Sequence, residues 1–106
     1  MVFSNETAER IDVKRALILF HATWSGYSIE IGRKILDHVN VSALSNLKIY
    51  VVDIDSVSEQ VVIKFLGTGC HGYAESALVI NGQVTGRYLK QQDLDPFLRL
   101  LSTQYL

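Results

Sequence analysis

The stretch RALILFHATWSGYS, residues 15–28, decides the fold. Its first eight residues are almost all apolar, which is typical of a strand buried on both faces of a sheet. A short turn with Trp24 follows. A helix is predicted from about Ser28 to Val39, because apolar residues recur every four positions from Ile31 and would line one face. A buried strand therefore leads through a turn into an amphipathic helix.

The rest of the chain alternates strands and helices. LKIYVVDID (47–55) is predicted as a second buried strand, because it is rich in β-branched residues. SVSEQVVIKFLG (56–67) is predicted as a helix that a Ser56–Glu59 capping box opens and Gly67 ends. ESALVINGQVTGRY (75–88) is typical of a β-hairpin that turns at Asn81–Gly82. Asp95 as N-cap and Pro96 after it predict the start of a last helix.

These elements define one α/β domain over residues 1–106. A short strand and a helix within residues 1–13 complete the predicted order. The helix between the first two main strands makes those strands parallel, whereas the hairpin adds antiparallel strands. We therefore expect a central mixed β-sheet of four to five strands flanked by helices on both faces.

Composition excludes several classes of function. The 106 residues include ten basic and eleven acidic ones, so the charge argues against a nucleic-acid partner. The longest apolar run, ALILF, is too short to span a membrane. Cys70 is the single cysteine, so no intramolecular disulfide can form. Without a recognisable signal peptide, we expect a cytoplasmic protein.

The motifs at the joints of these elements resemble those of the thioredoxin-like family. ALILFHATWSGYS stands where thioredoxins have an apolar strand followed by Ala-x-Trp-Cys-Gly-Pro-Cys. VVDID matches their second strand, and GCHGYAESALVINGQVTG matches the loop, the cis-proline position and the Asn-Gly hairpin. The resemblance covers nearly the whole chain and implies a thioredoxin-like fold.

The departures from the family fall on its catalytic positions. Ser25 and Ser28 stand where the resemblance places the two cysteines, Leu19 stands at the buried acid, and Ala74 stands at the cis-proline. Disulfide exchange needs one thiolate that attacks and a second thiol that resolves the mixed disulfide. Dithiol oxidoreductase activity is therefore not possible here. The Tyr73–Ala74 bond is expected to be trans, because a cis bond before a residue other than proline is costly.

The resemblance also implies a surface that holds an extended polypeptide. Losing the thiols removes the chemistry but leaves this surface. Its residues are Trp24, Ser25, Gly26, Tyr27, Ser28, Tyr73, Ala74 and Glu75, with Lys90 near the rim. Ordinary structural roles compete with this reading: the two serines can cap a helix, and the tryptophan can pack over the helix start.

Cys70 and the histidines are the other candidates for chemistry. Cys70 is either a small buried apolar residue or a reactive thiol, which would need a cation or a helix N-terminus nearby. The spacing of His21, His38 and His71 with Cys70 matches no zinc pattern. The glycines at 67, 69 and 72 do not form a phosphate loop. No cofactor is expected.

Three functions stay open at this point. The first is a redox-inactive thioredoxin-like protein that binds a protein or peptide as an adaptor, assembly factor or chaperone-like subunit. The second is a monothiol redox protein or sensor that uses Cys70. The third is a structural domain of a larger assembly with its main surface elsewhere. An engineered cysteine-to-serine variant of a thiol–disulfide oxidoreductase would also explain the serines, but Leu19 and Ala74 favour natural loss. The oligomeric state is left open.

Overall fold

A computed structural model describes residues 15–41 and 48–103 of the chain. The strands are β1 (Arg15–His21), β2 (Lys48–Asp53), β3 (Ser76–Ile80) and β4 (Gln83–Tyr88). The helices are α1 (Gly26–Val41), α2 (Glu59–Leu66) and α3 (Leu94–Thr103), and a 3-10 turn (Gln91–Asp93) precedes the last of them. The strand and helix predicted within residues 1–13 lie outside the described residues.

The described strands form one mixed sheet in the order β2-β1-β3-β4. β1 pairs parallel with β2 and antiparallel with β3, which in turn pairs antiparallel with β4. The prediction of an α/β fold with a parallel crossover and a closing hairpin is therefore confirmed. β1 lies inside the sheet, which explains why its sequence is apolar on both faces.

Alternate residues of β1 point into two different hydrophobic clusters. Ile18 and Phe20 belong to the cluster on the α2 side, whereas Leu17 and Leu19 belong to the cluster on the side of α1 and α3. This alternation follows from the two-residue period of a strand. Helices thus cover both faces, as predicted. No helix within the described ranges is long and apolar enough to cross a membrane.

All three helices begin at residues other than those predicted: α1 begins at Gly26, two residues before Ser28, so Ser28 does not cap it. The N-cap of α2 is Ser58, whose hydroxyl accepts the Val61 N–H, and not Ser56. The reason is a turn after β2, in which the Asp53 carboxylate accepts the Asp55 N–H at 2.9 Å. This turn occupies the residues that the predicted capping box would have used. Gly67 does end the helix, with φ of 74°.

The start of α3 differs for a similar reason. The Asp93 carboxylate accepts the N–H groups of Leu89 and Lys90 at 3.2 and 3.1 Å. These bonds set up the 3-10 turn, which runs directly into α3, so Asp95 is not the N-cap. Pro96 still falls in the first turn of the helix, where its missing N–H costs nothing.

The hairpin turns at Asn81–Gly82 as predicted. Both residues have positive φ, 54° and 77°, as a type I′ turn requires. A β-bulge shifts the β3–β4 register between Leu78 and Val79. A Cβ at Gly86 would run into a methyl group of Leu100. A larger residue here would therefore force the Leu100 side chain of α3 to move.

Candidate functional site

Three parts of the chain meet at the end of β1: the turn at residues 22–25, the first turn of α1, and residues 70–75, which we call the 70–75 segment. The Phe20 N–H donates to the Glu75 carbonyl at 2.9 Å and joins this segment to the strand. The segment thus lies beside the start of α1, as the resemblance implied for the two motifs. The eight residues predicted for the binding surface each belong to one of these three parts, whereas Lys90, predicted near its rim, lies before the 3-10 turn.

Ser25 is the N-cap of α1. Its hydroxyl oxygen accepts the Ser28 N–H at 3.2 Å, which satisfies one of the free N–H groups at the helix start. The same hydroxyl donates to the Gly72 carbonyl at 2.9 Å. The predicted capping role is confirmed, and a second role, which the sequence did not indicate, joins the helix to the 70–75 segment.

Ser28 lies inside α1 and its side chain is completely buried. Its hydroxyl accepts the Ala22 N–H at 3.0 Å and lies 3.1 Å from Nδ1 of His21. A hydroxyl with these partners and no exposed surface has no access to a substrate. The His21–Ser28 pair therefore holds the end of β1 against α1 and is not a nucleophile with its base.

Three aromatic side chains, Trp24, Tyr27 and Tyr73, form what we call the aromatic surface. Trp24 is 64% exposed and Tyr73 is 46% exposed. The Tyr27 and Tyr73 rings meet edge to face with centroids 5.6 Å apart. The Trp24 ring lies over Gly72, where a Cβ would come within 2.7 Å of it. Only glycine therefore lets the tryptophan cover the 70–75 segment.

Tyr27 also anchors this surface to the core. Its hydroxyl lies 3.2 Å from the hydroxyl of Tyr88, a fully buried residue of β4. Burial raises the pKa of Tyr88, and the bond to Tyr27 raises it further. The Tyr88 phenol therefore stays neutral at physiological pH and shares one hydrogen bond with Tyr27. Tyr27 is held in place and presents a fixed ring to Tyr73.

Ala74 occupies the position at which the resemblance implies a cis-proline. The bond before it is trans, as predicted, and its φ is +61°. This left-handed conformation is unfavourable for a residue with a Cβ. Ala74 is also completely buried beneath the surface, close to Gly32 of α1. The segment is thus built differently from a proline-containing loop.

Glu75 is the residue whose role the sequence reasoning missed. Its side chain is only 1% exposed, although it was predicted as part of a binding surface. Its carboxylate accepts the Cys70 thiol, the His71 N–H and the Tyr73 N–H at 3.2, 2.6 and 2.8 Å. A lone glutamate directly before an apolar strand was the one signal in the sequence that could have indicated its burial.

Three of the eight predicted binding residues are therefore corrected. Ser28, Ala74 and Glu75 are buried and support the surface from beneath. Trp24, Gly26 and Tyr73 are exposed, while Ser25 and Tyr27 are half-buried. The exposed part of the predicted surface thus consists of aromatic rings and the open backbone around Gly26.

Cys70 is half-buried and points its thiol at Glu75. Burial, together with the hydrogen bond and the negative charge of Glu75, raises the pKa of the thiol from an ordinary value of 9.0 to about 12. The depressed pKa that a reactive thiol needs is therefore not found. His71 contacts Glu75 through Nδ1 at 3.5 Å. Within the described ranges, no cluster of three or more His, Cys, Asp or Glu residues could hold a metal ion.

The sheet order, with α1 and α3 on one face and α2 on the other, defines a thioredoxin-like fold. Solved thioredoxins match the chain over almost its full length. Thioredoxin O2 from Arabidopsis thaliana in the oxidized state is 18% identical, with a TM-score of 0.72 over 99% of this chain and 94% of that one. Oxidised thioredoxin from Plasmodium falciparum is 16% identical, with a TM-score of 0.71 over 100% and 99% of the two chains.

A cysteine-to-serine mutant of Entamoeba histolytica thioredoxin is 23% identical, with a TM-score of 0.68 over 97% of this chain and 98% of that one. No family model matches the sequence, and no curated protein is significantly similar to it. The fold implied by the resemblance is therefore confirmed, and identities this low show the fold alone.

Proposed function

We propose that this chain is a redox-inactive thioredoxin-like protein that binds a protein or an extended peptide through the aromatic surface. The observation that carries the proposal is the contrast between two positions four residues apart. The Ser28 hydroxyl is buried and hydrogen-bonded to His21 and Ala22, whereas Trp24, two residues before the helix, is largely exposed. The chain thus has no thiols at the two positions where the resemblance places them, but it keeps an exposed surface beside those positions.

The chemistry of the surface suits a polypeptide partner. Tryptophan and tyrosine contribute large contact areas at a small entropic cost and dominate the binding energy of protein interfaces. Tyr27 and Trp24 are also held in place, by Tyr88 and by Gly72 respectively. A surface that is ordered before binding loses less entropy when a partner docks.

The rest of the proposal follows from the composition. The nearly balanced charge favours a protein partner over a nucleic acid. A single cysteine suits a reducing compartment, so we place the protein in the cytoplasm. As a partner-binding subunit it would act as an adaptor, assembly factor or chaperone-like protein.

The raised pKa of Cys70 speaks against the monothiol alternative. A thiol must ionise to attack a disulfide, and this one is held protonated by burial and by a neighbouring carboxylate. No observation favours a second function strongly enough to propose it.

The test is a selection of peptides from a random library displayed against the folded protein. Selected peptides are titrated into the wild type, Trp24→Ala and Tyr73→Ala by calorimetry. Ile63→Ala is the matched control, because Ile63 of α2 is as exposed as Tyr73, at 46%, and lies in a different element. We expect both aromatic variants to bind about tenfold or more weakly and the control to bind normally. Affinities that neither aromatic substitution changes would contradict the proposal.

A further inference from the structure

The carboxylate of Glu75 is the one fully buried acidic group found among the described residues. A buried charge is costly unless hydrogen bonds replace its lost hydration. Three donors from residues 70–73 do this: Oε1 accepts the Cys70 thiol and the Tyr73 N–H, and Oε2 accepts the His71 N–H. The carboxylate therefore draws four consecutive residues of the chain around itself.

The conformation that these bonds fix is the one that the aromatic surface needs. Gly72 lies between the two bonded N–H groups, with φ of +80°. Its carbonyl accepts the Ser25 hydroxyl, and its Cα lies against the Trp24 ring. Tyr73 donates its own N–H to Glu75 and places its ring against Tyr27. The contacts that join the segment to Ser25 and to the aromatic surface thus come from Tyr73, which donates its N–H to the carboxylate, and from Gly72, which lies between the two bonded N–H groups.

We propose that Glu75 is the positioning residue of the aromatic surface, with the Cys70 thiol as the third hydrogen-bond donor to its carboxylate. Without the carboxylate, the N–H groups of His71 and Tyr73 lose their partner and the segment leaves its place under Trp24. This inference deepens the proposed function and rests on it for the binding step. The positioning itself is a property of the free protein and can be measured there.

Glu75→Gln is the first test. An amide keeps the shape of the carboxylate but has one acceptor oxygen, so its NH2 group faces one of the donors that Glu75 accepts. Trp24 is the only tryptophan of the chain, so its fluorescence reports on the segment beneath it. We expect a shifted emission maximum and stronger acrylamide quenching, together with changed amide resonances of His71 and Tyr73.

Glu59→Gln is the matched control, because Glu59 is exposed in the first turn of α2. Its fluorescence and the two amide resonances should equal those of the wild type. Unchanged Trp24 emission and unchanged amide resonances in folded Glu75→Gln would overturn the inference, and the proposed function would stand.

The thiol is tested by a pair of variants. Cys70→Ser keeps an O–H donor toward Glu75, whereas Cys70→Ala removes the donor. We expect the serine variant to retain the wild-type Trp24 signal and the alanine variant to shift it in the direction of Glu75→Gln. In the double variant Glu75→Gln/Cys70→Ala, the second substitution should add little to the shift of the Trp24 signal, because the two side chains act through one hydrogen bond. Equal signals from the serine and alanine variants would overturn the role of the thiol.

Cys70→Ala also carries the test if Glu75→Gln does not fold. Binding is then measured with the peptides selected on the wild type. Weaker binding together with a shifted Trp24 signal supports the positioning role. If Cys70→Ala binds the peptides with full affinity although its Trp24 signal is shifted, the positioning role is overturned. The proposed function is unaffected by that result, because only the binding of Trp24→Ala and Tyr73→Ala tests it.

Discussion

The hydroxyl of Ser25 donates a hydrogen bond to the Gly72 carbonyl at 2.9 Å, although the two residues lie 47 positions apart in the chain. The same oxygen accepts the Ser28 N–H. One side chain thus caps α1 and ties its first turn to the 70–75 segment. A serine at this position is therefore part of the architecture of the site.

Ser25→Ala should lower the free energy of unfolding by about 1–2 kcal/mol, because it removes a helix cap and a second hydrogen bond. Ser58→Ala is the matched control, since Ser58 caps α2 and makes no bond to the 70–75 segment. Urea unfolding should show a loss in both variants. Trp24 emission should change in Ser25→Ala alone. A change of similar size in both would show that the bond to Gly72 has no effect on the surface.

The fold could be predicted from the sequence because its main signals are local. The apolar run of β1, the Asn81–Gly82 turn and the four-residue spacing of apolar residues in α1 each specify an element without help from the rest of the chain. The starts of α2 and α3 could not be predicted. They depend on where Asp53 and Asp93 fold back onto the backbone, which the local sequence does not specify.

Only the part of the site that lies on one continuous stretch of the chain could be predicted from the sequence. Trp24, Ser25 and Ser28 lie on one stretch whose strand–turn–helix course is evident from the sequence. The burial of Glu75 depends on donors that reach it only when the 70–75 segment curls around it. The local pattern offers only a lone glutamate before an apolar strand, which is too weak a signal to place Glu75 beneath the binding surface instead of in it.

Ala74→Pro should destabilise the protein, even though proline is the residue that the resemblance implies at this position. Proline fixes φ near −65°, whereas Ala74 has φ of +61°. We expect a loss of more than about 1 kcal/mol in urea unfolding, because the native conformation excludes the new residue. Ala74→Gly is the control, since glycine adopts positive φ freely. A proline variant as stable as the wild type would show that the segment can take another path.

The wild type should show no disulfide-reductase turnover with insulin and dithiothreitol above the rate without protein. The double variant Ser25→Cys/Ser28→Cys should form a disulfide on oxidation, seen by mass spectrometry as the loss of two hydrogen atoms, because the two positions are joined across the first turn of α1. Its turnover should stay low. Leu19 is buried and apolar and cannot accept a proton from a thiol at position 28.

The single variant Ser25→Cys is the control for this experiment, because one thiol at that position has no partner at 28. After oxidation, its mass should not show the loss of two hydrogen atoms that a disulfide between positions 25 and 28 produces. Turnover by the wild type above the rate without protein would contradict the proposed redox inactivity, and Cys70, the single cysteine of the chain, would then be the thiol responsible.

The reactivity of Cys70 is the most direct check on the competing functions. Because the pKa of the thiol is raised from 9.0 to about 12, only the unfolded chain has an appreciable thiolate fraction at pH 8. Alkylation by iodoacetamide should be about two to three orders of magnitude slower in the folded protein than in urea. Glu75→Gln should label faster than the wild type, since it removes a negative charge that raises the pKa. Native labelling as fast as that of the unfolded chain would return the monothiol function to first place.

The same shift predicts how stability depends on pH. The folded state keeps the Cys70 proton up to a higher pH than the unfolded state does, so between pH 9 and about 12 the folded chain binds more protons. The free energy of unfolding should therefore be unaffected by this thiol below pH 9 and should fall as the pH rises toward 12. Cys70→Ser, which does not ionise in this range, should lose less stability over the same interval. Urea unfolding of both proteins at pH 8 and pH 10.5 measures the difference, and equal losses would show that the thiol is not held protonated by the fold.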